Sequence, residues 1–529
     1  MAAARRLTGL GAAPGFAAGP VFRLAAAAGA RVSTGNPAVE AALLRAAIAG
    51  AAGEVAALAA AAEGEAADML GFQVAMLEDP ALAEAAFAAI AEGLPADVAW
   101  TAALAEEIAG YQAAEDEYFR ARASDLADLR DRVLARLTGA VAAAIPPGAV
   151  VLGEDITPSR FLAADWSAGG AVVLTGGSPT AHVAMLARAR GVPMVVRLAG
   201  APDDAGCALV DGGGGAVVFD PGPAERAEFA ARAEAAAADR AEADRHRLAR
   251  AATADGSPVA VLLNLADPAE VEGLDPAICD GVGLVRTEFL FHGPAGLPDE
   301  ETQYRAYRRI VDWAAGRPVT IRTVDAGGDK PVPGLTIDGE SNPFLGVRGI
   351  RLSLLRPDIF RVQLRAICRA AAHGPVKAML PMVAVPQELE QAAALLDGEV
   401  AALAATGIAH ARPALGIMVE VPAAALTAER FAADFYSIGS NDLTQYVMAA
   451  ARDIGAVAHL SDAAHPAVVE LIARTAAAGR ARGVEVSLCG DAAADPALVP
   501  VLLRAGLRVL SLAPRAVGAV KAAIAAARL

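Results

Sequence analysis

Between residues 259 and 513 the chain alternates eight short apolar runs with helical patterns. The runs are VAVLLN (259–264), GVGLVR (281–286), VTIRTV (319–324), KAMLPM (377–382), ALGIMVE (414–420), DFYSIG (434–439), VEVSLCG (484–490) and VLSLA (509–513). A continuous apolar run suits a strand buried on both faces, and strands alternating with helices build a parallel sheet. Eight such units predict a (β/α)₈ barrel, a TIM barrel, whose chemistry gathers at the C-terminal ends of its strands. Arg286, Arg322, Glu420, Asn441, Asp442 and Cys489 all stand at or just past those ends.

Ahead of this region, residues 5–24 read as one or two short strands around a Pro14-Gly15 turn. From about Pro37 to Thr138 the pattern is helical, with breaks expected at Asp79-Pro80, Gly93-Leu94-Pro95 and Gly110. Short strands return from Val150 and run through VDGGGGAVVFDP at 210–221. The glycine run is followed by a strand and by no Gly-Lys-Ser/Thr, so it predicts a hairpin turn rather than a phosphate loop. The expected organisation is an α/β domain (1–36 and 139–221) interrupted by a helical bundle (37–138). A charged linker helix (222–252) then leads to the barrel (253–529).

Within the α/β domain lies VVLTGGSPTAHVAMLARARGVPMVV, residues 172–196. Val172 to Leu174 read as a strand, the GGSP run as a tight turn, and a helix follows from about Ala181 until Gly191. His182 falls in the first helical turn, where unpaired N–H groups and the helix dipole favour an anion. A histidine there suits carriage of a phosphoryl group; the alternative is a capping turn with an incidental histidine.

Composition narrows the classes. The net charge of −16, with no basic stripe, argues against nucleic-acid binding. Residues 51–100 hold nine Asp or Glu and no Lys or Arg, an acidic helical face. Cys207, Cys279, Cys368 and Cys489 form no C-x-x-C pair, which fits a reducing compartment. Arg5-Arg6 imitates a twin-arginine export signal, but Pro14 and Gly15 interrupt the apolar stretch. Residues 166–187 carry no charged side chain apart from His182, yet the GGSP turn argues against a membrane span. A soluble, cytoplasmic protein is expected.

Arg286, Arg322 and Arg452 offer planar guanidinium forks suited to bidentate contact with phosphate and carboxylate groups. Glu420 and Asp442, at the ends of the fifth and sixth strands, offer the carboxylate pair that Mg²⁺ takes alongside substrate oxygens and water.

The chain resembles enzyme I of the bacterial phosphotransferase system, the phosphoenolpyruvate–protein phosphotransferases. The likeness begins at LTGLGAAPGFAAGPVF and runs through TPSRFL and the His182 stretch. It continues with GVGLVRTEFLF, IRTVDAGGDK, NPFLGVRGIR, GIMVEVPAAA, SIGSNDLTQY and SLCGDAAAD. The resemblance implies transfer of a phosphoryl group from phosphoenolpyruvate to His182, then to a histidine of the carrier HPr or an HPr-like protein, with release of pyruvate. It implies that Arg286, Arg322, Asn441 and Arg452 hold phosphoenolpyruvate, that Glu420 and Asp442 hold Mg²⁺, and that Cys489 protonates the departing enolate. Thr180 is the expected hydrogen-bonding support for the His182 ring. The helical insert is the expected carrier-docking domain, and the barrel the expected homodimer surface.

Three departures from the family pattern stand out. The loop reads GGSPTAH, with Ala181 where serine is common; Asp491 replaces a glutamate, with a possible effect on Cys489; and many relatives continue beyond the equivalent of Leu529. The nearest rival, a pyruvate, phosphate dikinase or phosphoenolpyruvate synthase, requires a nucleotide-binding domain that the insert does not offer. A non-catalytic regulator is a second rival, set against intact His182, three arginines and both carboxylates.

Overall fold

A computed structural model of the chain describes residues 4–24, 31–61, 65–112, 117–140, 143–179, 181–291, 296–328, 330–337, 339–451, 454 and 456–529. The side chains of 61, 65–69, 112, 117–122, 124 and 182 are outside that description. The chain packs as two compact units, Met1–Ala235 and Ala236–Leu529.

The first unit opens with strands β1 (Arg5–Thr8), β2 (Leu10–Ala13) and β3 (Phe16–Arg23). Five helices follow: α1 (Pro37–Ala61), α2 (Glu65–Glu78), α3 (Ala81–Ala91), α4 (Ala96–Gln112) and α5 (Glu117–Thr138). The chain returns to β4 (Val150–Gly153), α6 (Pro158–Leu162), β5 (Ala171–Leu174), α7 (His182–Arg190), β6 (Met194–Val196), β7 (Cys207–Asp211) and β8 (Ala216–Phe219). The last helix, α8 (Pro223–Arg247), continues into the second unit.

The eight strands form one sheet in the order β1-β8-β7-β3-β4-β5-β6-β2. Alternation along β4 and β5 divides the core between the two faces. Val151, Val172 and Leu174 pack with Phe161, Val183 and Leu186 on one side. Val150, Leu152, Ala171 and Val173 pack with Val195 and Phe219 on the other. The sequence suggested one or two strands before Arg23, whereas three form. β1 pairs with β8, β2 with β6 at the far edge, and β3 with β4 and β7. The glycine run at 212–215 turns the antiparallel β7–β8 hairpin, as expected.

Helix α1 starts where Asn36 Oδ1 accepts from the N–H of Ala38 at 3.0 Å, with Pro37 in the first turn. Glu40 on α1 is buried and reaches across to the start of α4, where its Oε2 accepts from Ala96 N at 2.9 Å. Its Oε1 accepts from Thr34 N at 2.8 Å and Thr34 Oγ1 at 2.7 Å, and Arg31 pairs with it. Burial alone would raise this carboxyl, but those hydrogen bonds and the guanidinium outweigh it and bring the pKa down to about 2. The Asp79-Pro80 and Gly93-Leu94-Pro95 breaks separate helices as expected; Gly110 does not, because α4 runs through it to Gln112. Among the described residues one helix, α1 over Pro37–Ala60, is long and apolar enough to cross a membrane by length and composition. Its Leu44, Ala47, Ala51 and Val55 are buried in the bundle core.

In the second unit the strands are β9 (Ala260–Leu265), β10 (Gly281–Val285), β11 (Val319–Arg322), β12 (Val376–Leu380), β13 (Ala414–Val419), β14 (Phe435–Gly439), β15 (Glu485–Cys489) and β16 (Val509–Leu512). The helices are α9 (Glu300–Trp313), α10 (Ile350–Leu355), α11 (Pro357–Ala370), α12 (Pro386–Ala405), α13 (Pro422–Leu426), α14 (Ser440–Met448), α15 (Pro466–Arg482), α16 (Asp491–Ala494), α17 (Val499–Arg504) and α18 (Val517–Ala526). The strands form a closed parallel barrel, each run matching its expected position to within two residues. Closure is made by β16, which pairs with β9 from Val509↔Ala260 to Leu512↔Leu263. Leu284, Met379, Met418, Phe435 and Cys489 fill the inside of the barrel. Tyr307, Ile310, Leu364 and Ile367 belong to the outer core between strands and helices. Buried Lys521 on α18 donates to the carbonyls of Arg247, Ala249 and Ile278 at 2.7–3.0 Å.

Candidate active site at the barrel mouth

Inside the second unit a cavity of about 240 Å³ opens among residues just past the strand ends. It is lined by Arg286, Arg322, Lys330, Glu420, Asn441, Asp442, Cys489 and Asp491, with Leu284 and Met418 beneath. A larger groove of about 530 Å³ lies in the helical insert, but its lining is mostly Ala, Ile, Leu and Val. Reactive side chains converge on the smaller one, as the fold predicts.

Arg322 ends β11 and is 4% exposed. Its Nη2 donates to Glu288 Oε1 at 2.9 Å, its Nη1 lies 3.2 Å from Asp325 Oδ2, and its Nε is buried with no acceptor among the described residues. A buried donor left open on a ligand-sized cavity is a place for a ligand acceptor. Burial opposes the charge on Arg322, but Glu288 and Asp325 outweigh it, so the guanidinium stays firmly protonated. Arg286, after β10, is exposed and makes no ion pair among the described residues.

Behind these cations lies a buried network that the sequence did not single out. Arg348 is fully buried, and its Nη2 donates to Asp325 Oδ2 at 2.9 Å and to Asp442 Oδ2 at 3.4 Å. Its Nη1 reaches Asp442 Oδ1 at 3.4 Å and Tyr446 Oη at 3.2 Å. Asp325 also lies 3.6 Å from Lys330 Nζ and donates its own N–H to Glu288 Oε1 at 2.9 Å. Burial works against an ionised Asp325, yet Arg322, Arg348 and Lys330 hold it well below the usual carboxylate range. Glu288, Asp325, Lys330 and Arg348 stand within RTEFLF, VDAGGDK and LGVRGIR, so their place in those runs was the available signal.

Glu420 directly follows β13 and is 1% exposed. Its Oε1 accepts from Met382 N at 2.6 Å. Met382 adopts φ 60°, an uncommon conformation for a side chain of its size. Burial first, then the Asp442 and Asp325 carboxylates, push Glu420 up to about 8. Oε2 faces Gly439, where an added Cβ would lie 2.7 Å away. Two carboxylates facing one cavity, with glycine keeping one of them clear, suit a hard cation that takes its remaining ligands from substrate oxygens and water. No cluster of three or more His, Cys, Asp or Glu converges as a metal site among the described residues.

Asn441 and Asp491 hold each other: Asn441 Nδ2 donates to Asp491 Oδ2 at 3.1 Å, and Asp491 N donates to Asn441 Oδ1 at 2.9 Å. Asp491 thus orients Asn441, whose Oδ1 lies 3.5 Å from Ser440 Oγ, the donor to Cys489 O at 2.8 Å. Cys489 ends β15, is buried, and its thiol takes a weak hydrogen bond from Ser437 Oγ at 3.7 Å. Burial pushes this thiol up to about 11, so it stays protonated at neutral pH.

His182 opens α7 as its first residue, after N-cap Ala181, which offers no side-chain hydrogen bond; Gly191 closes the helix in the left-handed conformation. The His182 side chain, Thr180 and Arg452 lie outside the described residues. Arg286, Arg322, Glu420, Asn441, Asp442 and Cys489 are brought together around one cavity.

Comparison with known proteins agrees with this geometry. The family profile described as PEP-utilising enzyme, PEP-binding domain, matches residues 240–529. Those for the N-terminal and mobile domains of PEP-utilising enzymes match residues 8–122 and 145–215. A phosphoenolpyruvate–protein phosphotransferase of Enterococcus faecalis is 39% identical, over 76% of this chain and 72% of its own length. One from Haloferax volcanii is 40% identical over 87% of this chain and 82% of its own. A multiphosphoryl transfer protein of Rhodobacter capsulatus is 36% identical over 98% of this chain and 64% of its own length. A mixed α/β sheet interrupted by helices, a closed parallel barrel and a strand-end cavity of arginines and carboxylates thus occur together in a chain that belongs to the phosphoenolpyruvate–protein phosphotransferase family of PEP-utilising enzymes.

Proposed function

We propose that the chain takes the phosphoryl group of phosphoenolpyruvate onto His182 and delivers it to a histidine of HPr or an HPr-like carrier, as the entry step of a sugar phosphotransferase system. The observation that carries this reading is the barrel-mouth cavity. It sets exposed Arg286 and the open Nε of Arg322 opposite Glu420 and Asp442.

Phosphoenolpyruvate carries a phosphate and a carboxylate, and Arg286, Arg322, Asn441 and Arg452 are the groups to bind them. Mg²⁺ is the cation for Glu420 and Asp442, and when bound it supplies positive charge to the substrate's oxygens. A neutral His182 imidazole attacks phosphorus while the bond to the enolate oxygen breaks. Such a transfer asks mainly for alignment and charge stabilisation. The enolate takes a proton at its methylene carbon from the Cys489 thiol, giving pyruvate and a thiolate that regains its proton from water. Thr180 is the hydrogen-bonding support for the ring. The carrier docks on the helical insert (37–138), where the acidic run at 51–100 attracts a basic partner and speeds encounter. The protein acts in the cytoplasm, as a homodimer through its barrel.

The test is incubation with phosphorus-labelled phosphoenolpyruvate and Mg²⁺ beside His182→Ala. Label that is lost in acid, survives base and vanishes in the variant supports the reading. Equal labelling of both proteins refutes it.

A further inference from the structure

Arg197 follows β6 directly and adopts φ 53°, in the region that glycine enters freely and a residue with a Cβ enters with strain. Strain of this kind persists where the surroundings impose it, and it gathers at functional sites. What imposes it here is the loop that carries His182. The Arg197 N–H donates to Gly176 O at 3.0 Å, a bond any residue but proline would make. Its side chain adds a second, from Nε to Gly177 O at 3.2 Å. Five residues beyond Gly177 the loop reaches His182 at the start of α7.

The same loop is held again further along. Arg188, on α7, donates Nη1 to Pro179 O at 2.8 Å and to Ala12 O at 2.6 Å. Two arginines therefore grip the GGSP turn by its carbonyls. Both are exposed: Arg188 uses Nη1 alone for its two main-chain acceptors, and Arg197 uses Nε alone, with no carboxylate partner among the described residues; what sets Arg197 apart is its strained backbone. A loop-holding role alone needs no charge at this position. A planar guanidinium with two unspent nitrogens suits a phosphoryl group.

We propose that Arg197 is a positioning residue for the phosphoryl-accepting loop. It fixes the turn through Gly177 and supplies counter-charge to the phosphoryl group carried on His182. The inference rests on His182 being the phosphoryl carrier.

The test compares Arg197→Gly and Arg197→Lys with the native chain and His182→Ala, using labelled phosphoenolpyruvate and full-length protein. Glycine relieves the backbone strain, so the Arg197→Gly melting temperature should equal or exceed the native value. Its maximal phosphorylation rate should fall about tenfold or more with KM for phosphoenolpyruvate unchanged, and its phosphohistidine should hydrolyse faster. Lysine should recover part of the phosphohistidine lifetime by restoring charge, without the rate that the Nε bond secures. Native rate and lifetime in Arg197→Gly would overturn the proposal. So would a loss of melting temperature that accounts for the loss of rate. Labelling of His182→Ala would instead remove the reading beneath it, and the proposal with it.

Discussion

Replacing Arg348 with methionine should destabilise the barrel by about 3–5 kcal/mol, the usual cost of stranding a buried charge whose partner is removed. The side chain is fully buried and joins two carboxylates, Asp325 at 2.9 Å and Asp442 at 3.4 Å. Asp325 is itself fully buried and would retain Arg322 at 3.2 Å and Lys330 at 3.6 Å. That residual pairing places the expected loss near the low end, about 3 kcal/mol. For a domain of this size each kcal/mol lowers the melting temperature by about 2 °C, so a fall of about 6 °C is expected. The assay is scanning calorimetry of the full chain, following the transition of the barrel. Adding Asp325→Asn removes a charge that the methionine variant strands, and the pair should show a coupling of at least about 1 kcal/mol. A methionine variant within about 1 kcal/mol of the native protein, or additive behaviour of the two changes, would refute the reasoning.

Two further outcomes follow from named contacts. Glu40→Gln should weaken the helical insert at neutral pH by about 2 kcal/mol, since a charged acceptor of several hydrogen bonds is lost. Because the folded pKa of Glu40 lies below its unfolded value, its contribution is complete above pH 4.5 and disappears as pH falls toward about 2. The gap between native and variant stability should close over that window, as read by thermal melts at a series of pH values. Gly439→Ala should lower activity more than tenfold and raise the Mg²⁺ concentration needed for half-maximal rate, because the new Cβ falls 2.7 Å from Glu420 Oε2. A variant with native Mg²⁺ dependence would show that this oxygen is not used.

The barrel was legible because each strand is a self-contained apolar run whose hydrophobicity does not depend on its neighbours. The candidate ligands were legible for the same reason: Arg322, Glu420 and Cys489 end or directly follow a strand. The supporting network was not. Asp325 meets Arg348 across 23 positions and Asp442 meets it across 94, and no local period encodes such pairings. The N-terminal strands were under-read because β1 and β2 find partners at opposite edges of the sheet, at β8 and β6. Gly110 was read as a break, yet packing in α4 outweighs a helix penalty of about 1 kcal/mol.

The open Nε of Arg322 bears on how the pocket chooses between molecules of similar size. A ligand missing one methylene group forfeits about 1 kcal/mol of contact, a mild handicap. A ligand that fills the cavity but presents no acceptor to that nitrogen leaves a buried, charged donor sealed away from water. Selectivity at this mouth therefore works by penalty. Neutral look-alikes are turned away more sharply than undersized anions, and the bulk of a competitor matters less than where it carries its oxygens.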